Sequence, residues 1–129
     1  MNATRTEWAD LPIAAQAFRV AHAAWALVSF VALGEIWRSV ITGRRDRRLA
    51  ASIAWLSLEG IALVKGRGDC PFGPLQTRLG DPVPLFELAL PPRAAKAAVP
   101  VLSVISVLGI ALAVLRAHRD RGGCRSPRG

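Results

Sequence analysis

Apolar residues fall into three long blocks along the chain, separated by polar segments rich in arginine, glycine and proline. The blocks cover residues 13–35, 49–65 and 97–115. Because an α-helix rises about 1.5 Å per residue, roughly twenty residues cross the hydrocarbon core of a bilayer, which is about 30 Å thick. The pattern therefore predicts an all-α membrane protein with three transmembrane helices, folded as a single integral membrane domain over residues 1–129.

The three blocks differ in polarity. The third block carries no charged residue, whereas the second includes Glu59 and the first holds Gln16, Arg19 and His22 in its first half. Polar and charged side chains are costly inside a bilayer and tend to lie near its boundary. An alternative therefore stays open, in which the first block lies in the membrane interface and only two helices span.

The segment that follows the second block is dense in residues that break helices. It contains Cys70-Pro71, Gly73-Pro74 and Gly80-Asp81-Pro82, none of which fits the interior of a helix. The next stretch, residues 83–90, lies between prolines and is too short to span. Its apolar residues flank Glu87, which favours a short interfacial or re-entrant helical segment on the outer side, with an ordinary buried loop as the alternative.

The formal net charge of +8 is concentrated in two places. The connector at residues 38–48 and the tail at residues 116–129 each carry five arginines and one aspartate, so each contributes +4. Basic segments next to spans remain in the cytoplasm. With three spans, this rule places the connector and the C-terminus in the cytoplasm and the N-terminus outside, in a multi-pass protein of the cell membrane. The tail itself is predicted to be disordered.

The positive charge does not indicate a nucleic-acid partner. A nucleic-acid surface has basic residues along one stripe with interleaved aromatic residues, and the arginines here flank apolar blocks instead. The partner that the pattern predicts is the lipid bilayer.

Three polar residues are predicted to lie at a similar depth. Counted from the ends of their blocks, Arg19, His22 and Glu59 lie roughly 9, 14 and 9 Å inside the outer boundary. We expect Glu59 to pair with Arg19, with His22 bonded to either, below the turn that contains Cys70. This cluster is either a structural clamp or a polar pocket that binds a small or lipid-like ligand or relays protons.

The two cysteines indicate neither a metal site nor a cofactor. Cys70 and Cys124 lack the paired spacing of zinc ligands. Basic neighbours could activate Cys70 as a nucleophile, but the predicted topology puts Cys124 across the bilayer, so a resolving thiol is missing. The sequence therefore does not favour an enzymatic function, and it identifies no catalytic residue.

Small side chains recur every three or four residues along the third block, at Ser103, Ser106, Gly109 and Ala113. Such a stripe allows another helix to approach closely. The approaching helix belongs either to this protein's own bundle or to a membrane partner, including a second copy of the chain. The first interpretation makes the stripe structural, and the second makes the protein an interaction or assembly subunit.

The polar positions and the turn resemble a family of small bacterial membrane proteins that is designated only as a domain of unknown function. The resemblance lies in His22, Glu59 and the turn Cys70-Pro71-Phe72-Gly73-Pro74-Leu75-Gln76, and Phe86-Glu87-Leu88 is similar to a Phe-x-Glu-His segment of that family. Three positions differ: Gly73 replaces Thr, Gln76 replaces an acid, and no His follows Glu87. The resemblance implies a membrane location and carries no known activity.

Overall fold

The computed structural model describes residues 8–67 and 72–123, and this part of the chain is helical, without strands. Four α-helices follow one another: α1 (Ile13–Thr42), α2 (Arg47–Lys65), α3 (Gly73–Arg78) and α4 (Pro92–Gly123). Two short 3-10 turns, Trp8–Asp10 and Leu85–Leu88, precede α1 and α4. The predicted all-α class is confirmed.

Two of these helices are long and apolar enough to cross a membrane. They are α1, with 30 residues, and α4, with 32 residues. Helix α2 matches the predicted second block in position and, with 19 residues, has the length of a span, but its charged residues make it less apolar than the apolar stretches of α1 and α4, so the third span stays a prediction.

The helices are longer than the apolar blocks that predicted them. Helix α1 continues to Thr42 and stops at Gly43, whose positive φ of 72° lets its N–H donate to the Ser39 carbonyl at 2.8 Å. Helix α4 begins with a proline and contains Pro100. Residues 116–123, which the sequence places in a disordered tail, form the last two turns of α4.

The connector between α1 and α2 is short and makes the two helices antiparallel neighbours. Asp46 caps α2 by accepting a hydrogen bond from the Leu49 N–H at 3.0 Å. Helix α1 is central, since it packs against both α2 and α4, while α2 and α4 scarcely touch each other. The buried core, which consists of Ala32, Ile36, Leu56 and Ala113, lies toward the connector end of the bundle.

Polar contacts tie the connector to the end of α4. Arg45 donates to the Asp120 carboxylate at 2.6 Å and to the Arg116 carbonyl at 2.9 Å. Arg116 in turn donates to the Val40 carbonyl. The two arginine-rich segments therefore meet at one end of the bundle, here called the basic end.

The stripe of small residues on α4 has two uses. Gly109 and Ala113 are buried against α1, and a Cβ at Gly109 would lie 3.1 Å from both Ile36 Cγ2 and Trp37 Nε1. Ser103 and Ser106 instead donate to carbonyls of their own helix and lie away from this contact. Packing within the bundle thus accounts for Gly109 and Ala113, and a membrane partner at this stripe stays a prediction for the two serines.

Replacing Gly109 with leucine is expected to destabilise the bundle by about 1–3 kcal/mol, because the added side chain forces α4 away from α1. The measurement is thermal unfolding of the purified protein in detergent. Gly34→Leu is the matched control: it lies on α1 with no atom within 4 Å of an added Cβ, so equal losses for both variants would contradict this packing.

Candidate functional site

A groove opens between α2 and α4 because only α1 joins them. It encloses about 1170 Å³ and is here called the α2–α4 groove. Its long walls are apolar, with Leu33, Leu56 and Ile110 among the residues that line them. Polar side chains gather at the end away from the core, here called the polar end: His22, Glu59, Lys65, Gln76, Glu87 and Lys96.

Glu59 is held at the polar end by an aromatic residue. Trp25 of α1 donates its indole N–H to Glu59 Oε1 at 3.2 Å, across the contact between α1 and α2. Trp25 also lies against the Trp55 ring, with 4.3 Å between centroids, and Trp55 donates to Ser29 at 3.0 Å. This network fixes the position of the carboxylate beside the groove.

His22 lies on the same side of α1 as Trp25, one turn closer to its N-terminus. Its ring packs between Phe18 and Phe72, at centroid distances of 5.8 and 5.5 Å. A side-chain hydrogen bond joins it to Gln76, and Glu59 is within electrostatic range. His22 and Glu59 therefore lie within electrostatic range of each other at the polar end, and their role as a site stays a prediction.

Arg19 is buried in an ion pair with Asp81. The guanidinium donates to both carboxylate oxygens, through Nε and through Nη2, the latter at 2.7 Å. The same carboxylate accepts from Gln76 Nε2 at 3.0 Å and from the Val83 N–H at 3.2 Å. Asp81 is 1% exposed and Arg19 is 7% exposed, so two buried charges are satisfied by each other and by further donors.

Hydrogen bonds from Arg19 hold the pKa of Asp81 below its usual range, against the opposing effect of burial. A carboxylate with a lowered pKa contributes stability above its unfolded-state pKa, near 4, and that contribution is lost only as the pH falls through the lowered value. The ion pair is therefore present throughout the neutral range.

The expected pairing of Arg19 with Glu59 is replaced by this contact. Asp81 and Glu59 are both possible partners of Arg19. The turn that contains Asp81 brings both of its carboxylate oxygens to the Arg19 guanidinium. Glu59 receives the indole N–H of Trp25 instead. The fourth residue of the predicted cluster, Cys70, lies outside the described residues, so its place above the cluster stays a prediction.

The segment from α3 to the Leu85–Leu88 turn covers the polar end of the groove. Gln76 of α3 donates to the Val83 carbonyl as well as to Asp81, which holds α3 next to the following turn. The Leu85–Leu88 turn then brings Phe86 and Glu87 to the groove. The predicted short helical segment at residues 83–90 is thus a 3-10 turn; its place at a membrane interface stays a prediction.

Three residues of the site are not predicted by the sequence pattern. Asp81 stands out there only as part of a helix-breaking turn, and Trp25 and Trp55 only as apolar residues of the spans. The tryptophans do carry one signal, since an indole N–H in an apolar helix needs an acceptor, and Ser29 and Glu59 are polar side chains of the same two helices. No local signal identifies Asp81.

Within residues 8–67 and 72–123, no group of three His, Cys, Asp or Glu side chains is placed to hold a metal ion. The groove contains carboxylates, amines and an imidazole, but a nucleophile activated by a neighbouring base is not seen among the described residues that line it. The apolar walls suit the hydrocarbon part of an amphiphilic molecule, and the polar end suits its head group.

Comparison of the chain with protein-family models, with curated proteins and with solved structures gives no match. The class of protein is therefore defined by the fold: an all-helical chain with two helices that are long and apolar enough to cross a membrane. The resemblance to the bacterial family of unknown function stays a prediction.

Replacing Asp81 with asparagine is expected to lower the free energy of unfolding by about 3–5 kcal/mol, because Arg19 keeps its buried charge and loses its counter-ion. Arg19→Met combined with Asp81→Asn should recover part of that loss. Thermal unfolding in detergent measures both.

The matched control for this pair is Asp120→Asn, which breaks the exposed contact with Arg45 and should cost less than about 1 kcal/mol. Equal losses of unfolding free energy for Asp81→Asn and Asp120→Asn would show that the buried pair does not hold the segment from α3 to the Leu85–Leu88 turn in place.

Proposed function

We propose that this protein is a three-helix integral membrane protein of the cell membrane that binds a lipid-like amphiphile in the α2–α4 groove. The observation that carries the proposal is the groove itself, which is apolar along its walls and polar at one end. A molecule with a hydrocarbon chain and a polar head matches both parts.

The length and packing of α2 support a third span. Helix α2 has 19 residues, which correspond to about 28 Å. It runs back along α1 after the four residues, 43–46, that separate the two helices. A helix that packs along a spanning helix shares its depth in the bilayer. Its two arginines lie at its start and Lys65 at its end, where long side chains reach the headgroups.

The proposed orientation is based on the basic end. The connector and the end of α4 are joined there by Arg45 and Arg116, so a single choice of side satisfies both arginine-rich segments. The positive-inside rule places this end in the cytoplasm. The polar end of the groove, with α3 and the Leu85–Leu88 turn, then faces outward together with the N-terminus.

The size of the groove suits a lipid-like molecule. Its volume of about 1170 Å³ lies just above the usual range of small-molecule sites, roughly 300–1,000 Å³.

The two alternatives from the sequence are less well supported. A proton relay needs titratable groups across the bilayer, yet His22 and Glu35 on α1 are separated by roughly 20 Å of helix without one. An assembly role through the small-residue stripe would have to use Ser103 and Ser106, since Gly109 is covered by α1. Both serines line the groove, so binding there would occupy the same space.

Cysteine labelling tests the third span and the orientation. In a variant with both native cysteines replaced by serine, we expect Thr77→Cys to react with an impermeant maleimide on intact cells, and Thr42→Cys to react only after lysis. These two residues are exposed and lie on either side of α2.

Asn2→Cys and Arg128→Cys report the two termini in the same experiment, and the expected result is labelling of the first alone. Labelling of Thr42→Cys and Thr77→Cys from one side would show that α2 does not span, which would overturn the three-helix proposal.

Filling the groove tests the binding of an amphiphile. Ser106→Phe places a bulky ring among the groove walls, and we expect it to reduce co-purifying lipid, measured by mass spectrometry, by at least fivefold. Val104→Phe is the matched control, because Val104 lies on the same helix, is 59% exposed and does not line the groove. Unchanged lipid in a folded Ser106→Phe protein would contradict the proposal.

A further inference from the structure

We infer that the polar end of the groove selects amphiphiles with a positively charged head, such as an alkylammonium group, and that Glu59 is the residue that recognises this charge. The inference rests on the proposed binding function and specifies the chemistry of its ligand. It follows from how the charges around the groove are balanced within the described residues.

Glu59 is the carboxylate that α2 contributes to the groove. It lies six positions before Lys65 at the end of the helix, which places it roughly 9 Å further in. Arg19, the nearest basic residue of α1, is fully engaged by Asp81. Across residues 8–67 and 72–123, no arginine or lysine forms an ion pair with Glu59.

The hydrogen bonds of Glu59 leave room for a ligand. Trp25 donates to Oε1, and among the described residues no donor to Oε2 is seen. An ionised carboxylate at this depth is costly without a cation, and a short glutamate side chain cannot reach the headgroups as a lysine does. A cationic head that enters the groove supplies the missing charge.

The aromatic surroundings of Glu59 also favour a cation. Trp25 lines the groove beside Glu59, and its ring is supported by Trp55 at 4.3 Å and by Phe72 at 5.6 Å between centroids. The face of a tryptophan attracts ammonium groups within about 6 Å, and aromatic side chains are the usual binding surface for quaternary ammonium ligands.

The other charges at the polar end are two lysines and a second glutamate, and in the described part of the chain neither lysine forms an ion pair with Glu59. Lys65 and Lys96 line the groove, but both are exposed near the ends of their helices, where long flexible side chains can turn toward water. Glu87 lies on the Leu85–Leu88 turn and adds a second negative charge to the path by which a head would enter. His22 is within electrostatic range of Glu59, and it competes with the ligand only when protonated.

The test compares three amphiphiles of equal chain length, added to the full-length protein in neutral maltoside micelles. Tetradecyltrimethylammonium carries a positive head, tetradecyl sulfate a negative head and tetradecanol none. Binding is followed by tryptophan fluorescence, since Trp25 and Trp55 lie at the site. We expect the ammonium compound to bind at least tenfold more tightly than the other two.

Two variants identify the residue. Glu59→Gln keeps the shape and the Trp25 contact, so we expect it to lose the tenfold preference while still binding tetradecanol. Glu35→Gln is the matched control, because Glu35 pairs with Arg38 on α1 and does not line the groove, and it should retain the preference.

The outcomes separate the two proposals. If Ser106→Phe abolishes binding of all three compounds but the wild type shows no preference for the ammonium head, the groove binds amphiphiles and the inference about Glu59 is wrong. That inference is equally wrong if Glu59→Gln keeps the preference. If Ser106→Phe leaves all binding unchanged, the proposed function itself fails.

Discussion

The ion pair between Arg19 and Asp81 determines how the segment from α3 to the Leu85–Leu88 turn is arranged. It joins residues 62 positions apart and is almost completely buried, so removal of one partner leaves the other as an uncompensated buried charge. Through the bonds of Gln76 and Val83 to Asp81, it also fixes α3 and the turn that follows. The position of the groove's polar end therefore depends on one buried contact between α1 and a loop.

The two halves of the bundle are built differently. Near the connector, Ala32, Gly109 and Ala113 are small enough for α4 to lie directly on α1, and Ile36 and Leu56 fill the space between helices. Away from the connector, tryptophan and polar side chains bridge α1 and α2, and α4 stands apart from α2. A tight core at one end thus allows an open groove at the other without loss of the overall fold.

The sequence predicts the helices well and the long-range partners poorly. Apolar blocks locate α1, α2 and α4 because a run of apolar residues between polar segments is a local property. Counting residues along each helix also brings His22 and Glu59 to a similar level of the bundle, and both line the same groove. The partner of Arg19 does not, since Glu59 and Asp81 are both acids at its end of the bundle, and only the path of the loop decides between them. The tryptophan contact with Glu59 depends in the same way on the rotation of α2 about its axis.

The contacts that join the connector to the end of α4 have an electrical consequence in an energised membrane. Within the described residues, the connector at residues 38–48 carries a formal +4 and residues 116–123 of α4 carry +2, so together they form a charged end of +6. A membrane potential of 100 mV is worth about 2.3 kcal/mol for each elementary charge, or roughly 14 kcal/mol for six. In the proposed orientation, a potential that is negative inside holds this end in place. Inversion of the proposed topology would have to move this end against the potential, so the membrane potential itself opposes such an inversion.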